Sequence, residues 1–498
     1  MSTPSIQRQS IISTIIIFAG FGFGAINLIV LQKWLLTSEQ WGLTRVITEA
    51  SVLLANFATL GTPIVIAKFL PFYKKYLPQQ KIDLPFISLI IYLAGLIVTM
   101  FLMFIFREQI IRIFGKNNPL FEPYYFVLPL FVLFQSVFVF LEMPAWFSGK
   151  TILSNLLKEL LFRVLTTVFL LFIAFRFVSF DGFMKLFACI YLPAAIIIWF
   201  SVRNSGGFPI QSNISKVTRR LKQKMLSLGG FVFFTSLSNL GFVVCDTLFL
   251  ASMYNFSQAG IYAIAQYFSQ VLEVPMRSIQ ASSVPLISEY WRAKNMSGLN
   301  SIYKKSCINL LVAGMALGGV ILINLDNINR YFGPEYAIMI TPLAILVVSR
   351  WINLGTGVNA IIIQLSSYWR FDFASTLIYS IIGIPLNYLL IHNYGMIGAA
   401  IANVIAMFLY NTIRFLFIWK KFGLQPFGKK NGILVLSGSL LIYLVYLIPA
   451  FNNLYFDGIL RSLLFISAFG ILILKGNFSE EINWLWQKWS RKLLRIKN

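Results

Sequence analysis

The sequence predicts an all-α integral membrane protein with about 14 transmembrane helices. Of its 498 residues, 58% are hydrophobic and only 12% are charged, which leaves too little polar surface for a water-soluble globule. Apolar runs of about 20 residues, long enough to cross a bilayer as helices, recur along the whole chain. The connections between them are alternately rich and poor in Lys and Arg, as expected for a chain that crosses a membrane back and forth.

Fourteen apolar runs are long enough to be spans. The first six lie near residues 10–35, 46–67, 84–106, 121–142, 153–175 and 180–201. The other eight lie near 226–251, 260–287, 306–325, 336–362, 371–391, 396–419, 432–449 and 459–475. The fifth is the least secure, because Lys158, Glu159 and Arg163 interrupt it.

The basic connections predict the orientation of the chain. Lys and Arg are enriched on the cytoplasmic side of membrane proteins, and the strongly basic segments here, such as Arg203 to Lys224, fall on one side. An even number of spans then places both termini in the cytoplasm. The net charge of +24 is explained by these loops, so no nucleic-acid partner is predicted. The carboxyl end reads as an amphipathic helix lying on anionic membrane lipids.

Local features recur at an offset of roughly 215 residues, which indicates an internal repeat. Segment 39–42 (EQWG) corresponds to 257–260 (SQAG), and Phe114-Gly115 corresponds to Phe332-Gly333. Six spans per copy predict two six-helix lobes with a parallel pseudo-two-fold repeat, facing one another around a cavity, plus two extra C-terminal helices. The predicted parts are an N-terminal lobe (1–205), a basic linker (206–225), a C-terminal lobe (226–420), the last two spans (421–476) and the interfacial tail (477–498).

A polar stripe runs along the eighth span. Gln266, Gln270, Glu273, Arg277 and Gln280 follow the spacing that places side chains on one face of a helix. The other faces are apolar. Because hydrocarbon cannot satisfy such groups, this face is predicted to line water or a polar ligand. A simpler alternative for two members is that Glu273 and Arg277 neutralise each other at i, i+4.

Three more spans carry polar residues at matching positions. These residues are Arg45, Glu49, Asn56 and Thr59 in the second span, Asn239 and Asp246 in the seventh, and Asn27 in the first. A single Asn or Gln in a membrane helix often makes a packing hydrogen bond. The charged residues are harder to explain by packing, because each costs at least ~2.5 kcal/mol at the bilayer centre unless it is paired or hydrated.

The sequence offers little for catalysis or for a cofactor. His392 is the only histidine, and the three cysteines lie far apart in apolar spans. Gly149-Lys150-Thr151 resembles the end of a phosphate-binding loop, but Pro144 stands where that motif begins with glycine. We therefore predict no catalytic residue, no metal and no cofactor.

Several short motifs, in this order and spacing, resemble a known family. They are Gln7-Arg8-Gln9-Ser10, Glu39-Gln40-Trp41-Gly42, Gly260-Ile261-Tyr262, Phe332-Gly333-Pro334-Glu335-Tyr336 and the small-residue run 395–402 (GMIGAAIA). The chain resembles polysaccharide and O-antigen flippases of the multidrug/oligosaccharidyl-lipid/polysaccharide (MOP) exporter superfamily. This resemblance implies a bacterial inner-membrane protein that moves an undecaprenyl-diphosphate-linked oligosaccharide, an O-antigen, capsule or exopolysaccharide unit, from the cytoplasmic to the periplasmic leaflet by alternating access.

The resemblance also suggests roles for the polar residues. Cations suit a diphosphate, and amides suit sugar hydroxyls. The expected substrate-cavity residues are Arg8, Asn27, Arg45, Asn56, Asn239, Gln266, Gln270, Arg277 and Gln280. The acids expected to couple transport to a proton or sodium ion, or to gate it, are Glu49, Asp246 and Glu273.

Two other functions fit parts of the sequence. A cation-coupled drug exporter of the same superfamily would share the lobes but would need an apolar, acid-containing cavity. A membrane polysaccharide polymerase or ligase is an alternative of a different class. Such enzymes usually carry a large outer loop, whereas the longest outer loop predicted here is near 107–120.

Overall fold

A computed structural model describes residues 3–78, 81–205, 213–481, 483–484 and 486–487, with the side chains of 3–11, 14 and 281 outside this description. Throughout the described residues the regular structure is helical, with short π and 3₁₀ segments and no strand. The predicted all-α class is therefore confirmed.

The chain divides into two compact units between Gly260 and Ile261. The first unit contains α1 (Thr3–Ala25), α2 (Lys33–Leu35), α3 (Ser38–Thr59), α4 (Thr62–Tyr76), α5 (Leu84–Ile105), α6 (Arg107–Gly115), α7 (Phe121–Tyr124), α8 (Val127–Phe147), α9 (Thr151–Asn155), α10 (Phe162–Ala174), α11 (Phe180–Ala188), α12 (Leu192–Asn204) and α13 (Lys216–Met253). Two π-helical segments, Ile26–Gln32 and Leu156–Leu161, continue α1 and α9 into the helices that follow.

Helix α14 (Phe256–Gln270) crosses the boundary between the units. The helices after it are α15 (Val274–Arg292), α16 (Met296–Ile323), α17 (Leu325–Phe332), α18 (Ile340–Gly355), α19 (Asn359–Gln364), α20 (Trp369–Phe422), α21 (Lys429–Tyr446) and α22 (Leu454–Lys475). Helix α20 has non-helical backbone at Gly395, so its 54 residues form two stretches that meet at that glycine. These stretches match the two spans predicted at 371–391 and 396–419.

The described part of the chain contains nine helices that are long and apolar enough to cross a membrane, or ten when one bent pair is taken as a single span. The predicted number of fourteen is thus not confirmed. Several of the predicted spans are divided into shorter helical pieces, including the second between α3 and α4 and the tenth between α18 and α19. The fifth is divided among α9, a π segment and α10, and the eighth between α14 and α15.

The bent pair consists of α3 and α4, whose axes differ by 43°. Leu60 and Gly61 both adopt the left-handed conformation, with φ of 48° and 74°. Glycine accepts this conformation without steric cost, and Gly61 also lies against the backbone of α13, where an added Cβ would come within 2.6 Å of the Gly229 carbonyl oxygen. The bend is therefore fixed by backbone conformation and by close packing.

The charges in the fifth span have partners in the first unit. Lys158 contacts Glu142 of α8 at 3.1 Å, and Arg163 contacts Glu159 at 3.1 Å. Pairing offsets the cost of placing charges among apolar helices. It explains how a segment with three charged residues still packs as a helix.

Helix α13 packs against α3 and α4 in the first unit. The observed division at Gly260 therefore lies after the predicted linker at 206–225. Segments that correspond in the predicted repeat also contact each other within this unit. Trp41 Nε1 donates a hydrogen bond to the Gly260 carbonyl oxygen at 3.1 Å, and Ser257 Oγ donates to Ser38 Oγ at 2.9 Å.

Candidate functional site

The eighth span is interrupted in the middle of its polar stripe. Helix α14 ends at Gln270, a 3₁₀ turn covers Val271–Glu273, and α15 begins at Val274. Pro275 has no N–H to donate to the carbonyl one turn earlier, so one hydrogen bond of the regular pattern is missing there. The Val274 N–H instead donates to the Val271 carbonyl in a tighter turn. The stripe was expected on one unbroken helix and is in fact divided by this break.

An arginine from another helix binds the acid at the break. Arg350 Nη1 of α18 lies 2.6 Å from Glu273 Oε1, and Arg350 Nε donates to Ser269 Oγ at 3.4 Å. The two charged side chains are 14% and 25% exposed, so the pair is neither fully buried nor fully hydrated. The structure thus pairs Glu273 with Arg350 of another helix.

The remaining members of the stripe differ in exposure. Gln266 is buried, Gln270 and Gln280 are half-buried, and Arg277 is exposed. Arg277 projects from α15 within a segment otherwise rich in apolar residues. An exposed arginine there can bind an anion, because a guanidinium presents several N–H donors in a planar fork.

The polar face of α3 lies in the first unit. Arg45 and Glu49 form an ion pair one turn apart, with side chains 27% and 12% exposed. Asn56 Nδ2 donates to the Val52 carbonyl and Thr59 Oγ1 donates to the Asn56 carbonyl, both at 2.8 Å. The two charged residues, which were predicted to have separate roles, are therefore partners.

Three more of the predicted site residues lie in the first unit, and they differ in burial. Asn27 is buried and contacts α10: its Nδ2 donates to the Arg163 carbonyl at 2.8 Å, and its Oδ1 accepts from Thr167 Oγ1 at 2.7 Å. Asp246 is buried on α13, whereas Asn239 on the same helix is exposed. The contacts of Asn27 match the packing alternative. The side chain of the remaining candidate, Arg8, lies outside the described residues.

Sequence reasoning missed Arg350. The sequence did contain a signal for Arg350, because an arginine within an apolar span needs a partner and Glu273 was an acid whose partner was in question.

Sequence reasoning also missed an amide cluster in the second unit. Its centre is Asn411, whose Oδ1 accepts from Thr356 Oγ1 at 2.7 Å and from Asn359 Nδ2 at 3.0 Å.

The arginines of two buried ion pairs in the second unit also donate hydrogen bonds to other parts of the chain. Arg414 pairs with Asp372 and also donates to Ser375 Oγ at 3.1 Å. Arg461 pairs with Asp457 at 2.9 Å and donates to the Ile448 carbonyl at 2.6 Å. Buried charges are tolerated when they are paired and make further hydrogen bonds in this way. These pairs hold helices and connections together, and they differ from the more exposed Glu273–Arg350 pair.

Comparisons with solved structures show what this fold is similar to. The chain is similar to the lipid II flippase MurJ in an inward closed conformation, with a TM-score of 0.70, 16% identity, and coverage of 94% of this chain and 99% of that one. It is also similar to an inward-facing multidrug resistance MATE family transporter of the MOP superfamily (TM-score 0.58, 14% identity, 82% and 98% coverage). A MATE transporter variant, VcmN from Vibrio cholerae, gives a TM-score of 0.54 at 15% identity, with 84% and 96% coverage.

At these identities the likeness concerns the fold. No curated protein matches the chain. A family profile described as "Polysaccharide biosynthesis protein" matches residues 6–291, more than half of the chain. The match includes the α3 polar face, the helix break and Arg277. Together with the helical fold shared with MOP superfamily transporters, it shows that this multi-pass membrane protein belongs to the polysaccharide biosynthesis protein family.

Proposed function

We propose that the protein is a flippase that moves an undecaprenyl-diphosphate-linked oligosaccharide from the cytoplasmic to the periplasmic leaflet by alternating access. The oligosaccharide is an O-antigen, capsule or exopolysaccharide unit, and the membrane is the bacterial inner membrane. The observation that carries this proposal is the break in α14–α15, where an exposed arginine and a half-buried ion pair interrupt apolar helices. The family match supports a role in polysaccharide synthesis.

The polar groups suit the chemistry of such a substrate. A diphosphate and a sugar cannot cross hydrocarbon unaided, so a flippase has to supply polar groups for the head while the polyprenyl tail stays in lipid. Arg277 is the proposed contact for the diphosphate, and Gln266, Gln270 and Gln280 are the proposed contacts for the sugar. The amides offer both donors and acceptors to hydroxyl groups.

The Glu273–Arg350 pair is the proposed switch. An incoming diphosphate competes with Glu273 for Arg350, because both present anionic oxygens to the same guanidinium. Once released, Glu273 becomes available to a proton or a sodium ion. A ligand that binds one conformation better than another shifts the population toward it, and this exchange of partners provides such a difference.

The first unit contributes a second set of proposed residues. Arg8 and Arg45 are proposed for the diphosphate, and Asn56 and Asn239 for the sugar, with Asn27 retained as a helix contact that can also line the path. Glu49 and Asp246 are the proposed gating acids of this unit. Because Glu49 already binds Arg45, the two are proposed to separate and re-form during transport, as Glu273 and Arg350 do.

The test is reconstitution into liposomes that carry lipid-linked oligosaccharides of defined head groups. Exposure of the sugar on the opposite leaflet is measured with and without proton and sodium gradients. Arg277→Ala is expected to abolish flipping. Arg292→Ala, at the exposed end of the same helix, is the matched control and keeps wild-type flipping. Full activity of Arg277→Ala at normal protein levels would remove this residue from the mechanism.

The same preparation separates the competing functions. Drug efflux without any flipping identifies a drug exporter, and an increase in glycan chain length identifies a polymerase or ligase. The proposed orientation, with both termini in the cytoplasm, rests on the distribution of Lys and Arg among the loops. Labelling of single cysteines placed at each terminus in sealed cells tests it, and labelling from outside the cell would reverse the proposed orientation.

A further inference from the structure

A groove with a cavity volume of about 740 Å³ lies in the first unit, beside the bend between α3 and α4. Residues from the bend, α5 and α13 line it. Its wall is mostly apolar, with Val65, Ile87, Ile91 and Phe233 among the lining side chains. The volume is in the range of about 300–1,000 Å³ that is usual for small-molecule sites.

Glycines keep the groove open along α13. Gly229 and Gly230 both line it, and a Cβ added at Gly230 would meet nothing within 4 Å. Helix α13 therefore presents bare backbone where a larger side chain would fill the space. At the bend, Gly61 packs directly against Gly229, so the groove is bounded by a fixed backbone contact.

Two cations stand at the end of the groove nearest the start of α13. Arg219 and Lys222 line it and are exposed. Within the described part of the chain, neither is paired with a carboxylate. The nearby buried acid, Asp83, is bound elsewhere: its Oδ2 accepts from the Ser215 N–H at 2.8 Å and from Thr218 Oγ1 at 2.7 Å.

An apolar groove with two cations at one end matches a molecule with an apolar chain and an anionic head. Free phosphate would leave the apolar wall uncovered, and a neutral lipid would leave the cations without a partner. We propose that this groove binds one anionic phospholipid of the surrounding bilayer. Its phosphate lies on Arg219 and Lys222, and one acyl chain lies along the wall formed by Val65, Ile91 and Phe233. This site does not depend on the proposed flippase function.

The first test removes the cations. The full-length protein is purified in a neutral detergent and titrated with phosphatidylglycerol or phosphatidylcholine, and bound lipid is counted by native mass spectrometry. The double variant Arg219→Gln/Lys222→Gln is expected to lose phosphatidylglycerol affinity by about fivefold per charge removed. The control Arg220→Gln/Lys224→Gln removes the same charge from exposed positions of the same helix outside the groove, and it retains wild-type affinity.

The second test fills the apolar wall. Gly230→Leu projects into the groove and is expected to abolish binding of the lipid while Arg219 and Lys222 remain. Gly470→Leu, at another glycine with open space around it, is the control. Elution at the wild-type volume in gel filtration shows that each variant is folded.

Three results would overturn the proposal. One is equal loss of phosphatidylglycerol in both charge variants, which would mean that net charge alone attracts the lipid. Another is equal binding of phosphatidylcholine and phosphatidylglycerol. The third is displacement of phosphatidylglycerol by undecaprenyl diphosphate at equimolar concentration, which would assign the groove to the tail of a polyprenyl lipid.

Discussion

Replacing Gly42 with alanine tests a close approach of two helices in the first unit. Gly42 is buried at the start of α3, and a Cβ placed there would lie 1.7 Å from the Phe256 carbonyl oxygen at the start of α14. Ordinary contacts begin at 3.4 Å, so the two helix starts have to separate by about 1.7 Å. The obstacle is backbone, which cannot rotate away as a side chain can.

The cost of Gly42→Ala follows from what this separation breaks. Two hydrogen bonds bridge the same contact, from Trp41 to Gly260 and from Ser257 to Ser38, and each contributes about 1 kcal/mol net. Overpacking adds about 1–3 kcal/mol. Alanine returns about 1 kcal/mol through its better helix propensity. We expect a net loss of about 2–4 kcal/mol in the free energy of unfolding.

The assay is thermal unfolding in detergent, followed by fluorescence-detected size exclusion. Gly470→Ala is the control, because its Cβ meets nothing within 4 Å, and it should melt at or slightly above the wild-type temperature. Trp41→Phe removes one of the bridging hydrogen bonds without overpacking and should fall between the two. If Gly42→Ala melts with the wild type, the close approach of α3 and α14 does not exist as described and the reasoning fails.

Three more predictions concern ion pairs and anchors. A double-mutant cycle with Glu273→Gln and Arg350→Gln should give a coupling energy of about 0.5–3 kcal/mol in thermal unfolding, and additive effects would mean that the pair does not form. Asp83→Ala should lower the free energy of unfolding by about 1–3 kcal/mol because the first turn of α13 loses its acceptor, whereas Asp83→Asn should keep most of the stability. Burial acts to raise the pKa of Glu481, but hydrogen bonds from its backbone and from neighbouring side chains, including Lys305, outweigh it and lower the pKa. The contact with Lys305 should therefore hold at neutral pH and be lost as the pH falls through the lowered pKa; hydrogen exchange near the carboxyl end should show this, and Glu481→Gln should remove the pH dependence.

The partners of the predicted site residues depend on contacts between helices, which the sequence alone does not reveal. The spacing of the stripe placed Glu273 and Arg277 on one helix face, and their pairing was then reasonable. A 3₁₀ turn interrupts the α-helix just before Pro275, and Arg350 of α18, 77 positions away along the chain, binds Glu273. Helical periodicity describes neighbours along one helix, whereas an ion pair between helices depends on how they pack.

The sequence by itself determined that the protein is helical, crosses the membrane many times and belongs to the polysaccharide biosynthesis protein family. The helical class and the many crossings follow from the length and polarity of local segments, because an apolar run of about 20 residues crosses a bilayer as a helix whose backbone hydrogen bonds are satisfied internally. The tertiary structure decided the bend at Leu60 and Gly61, the close contact of Gly42 with Phe256, and the groove beneath Arg219 and Lys222. Each of these arises where distant segments pack together and no local pattern describes it.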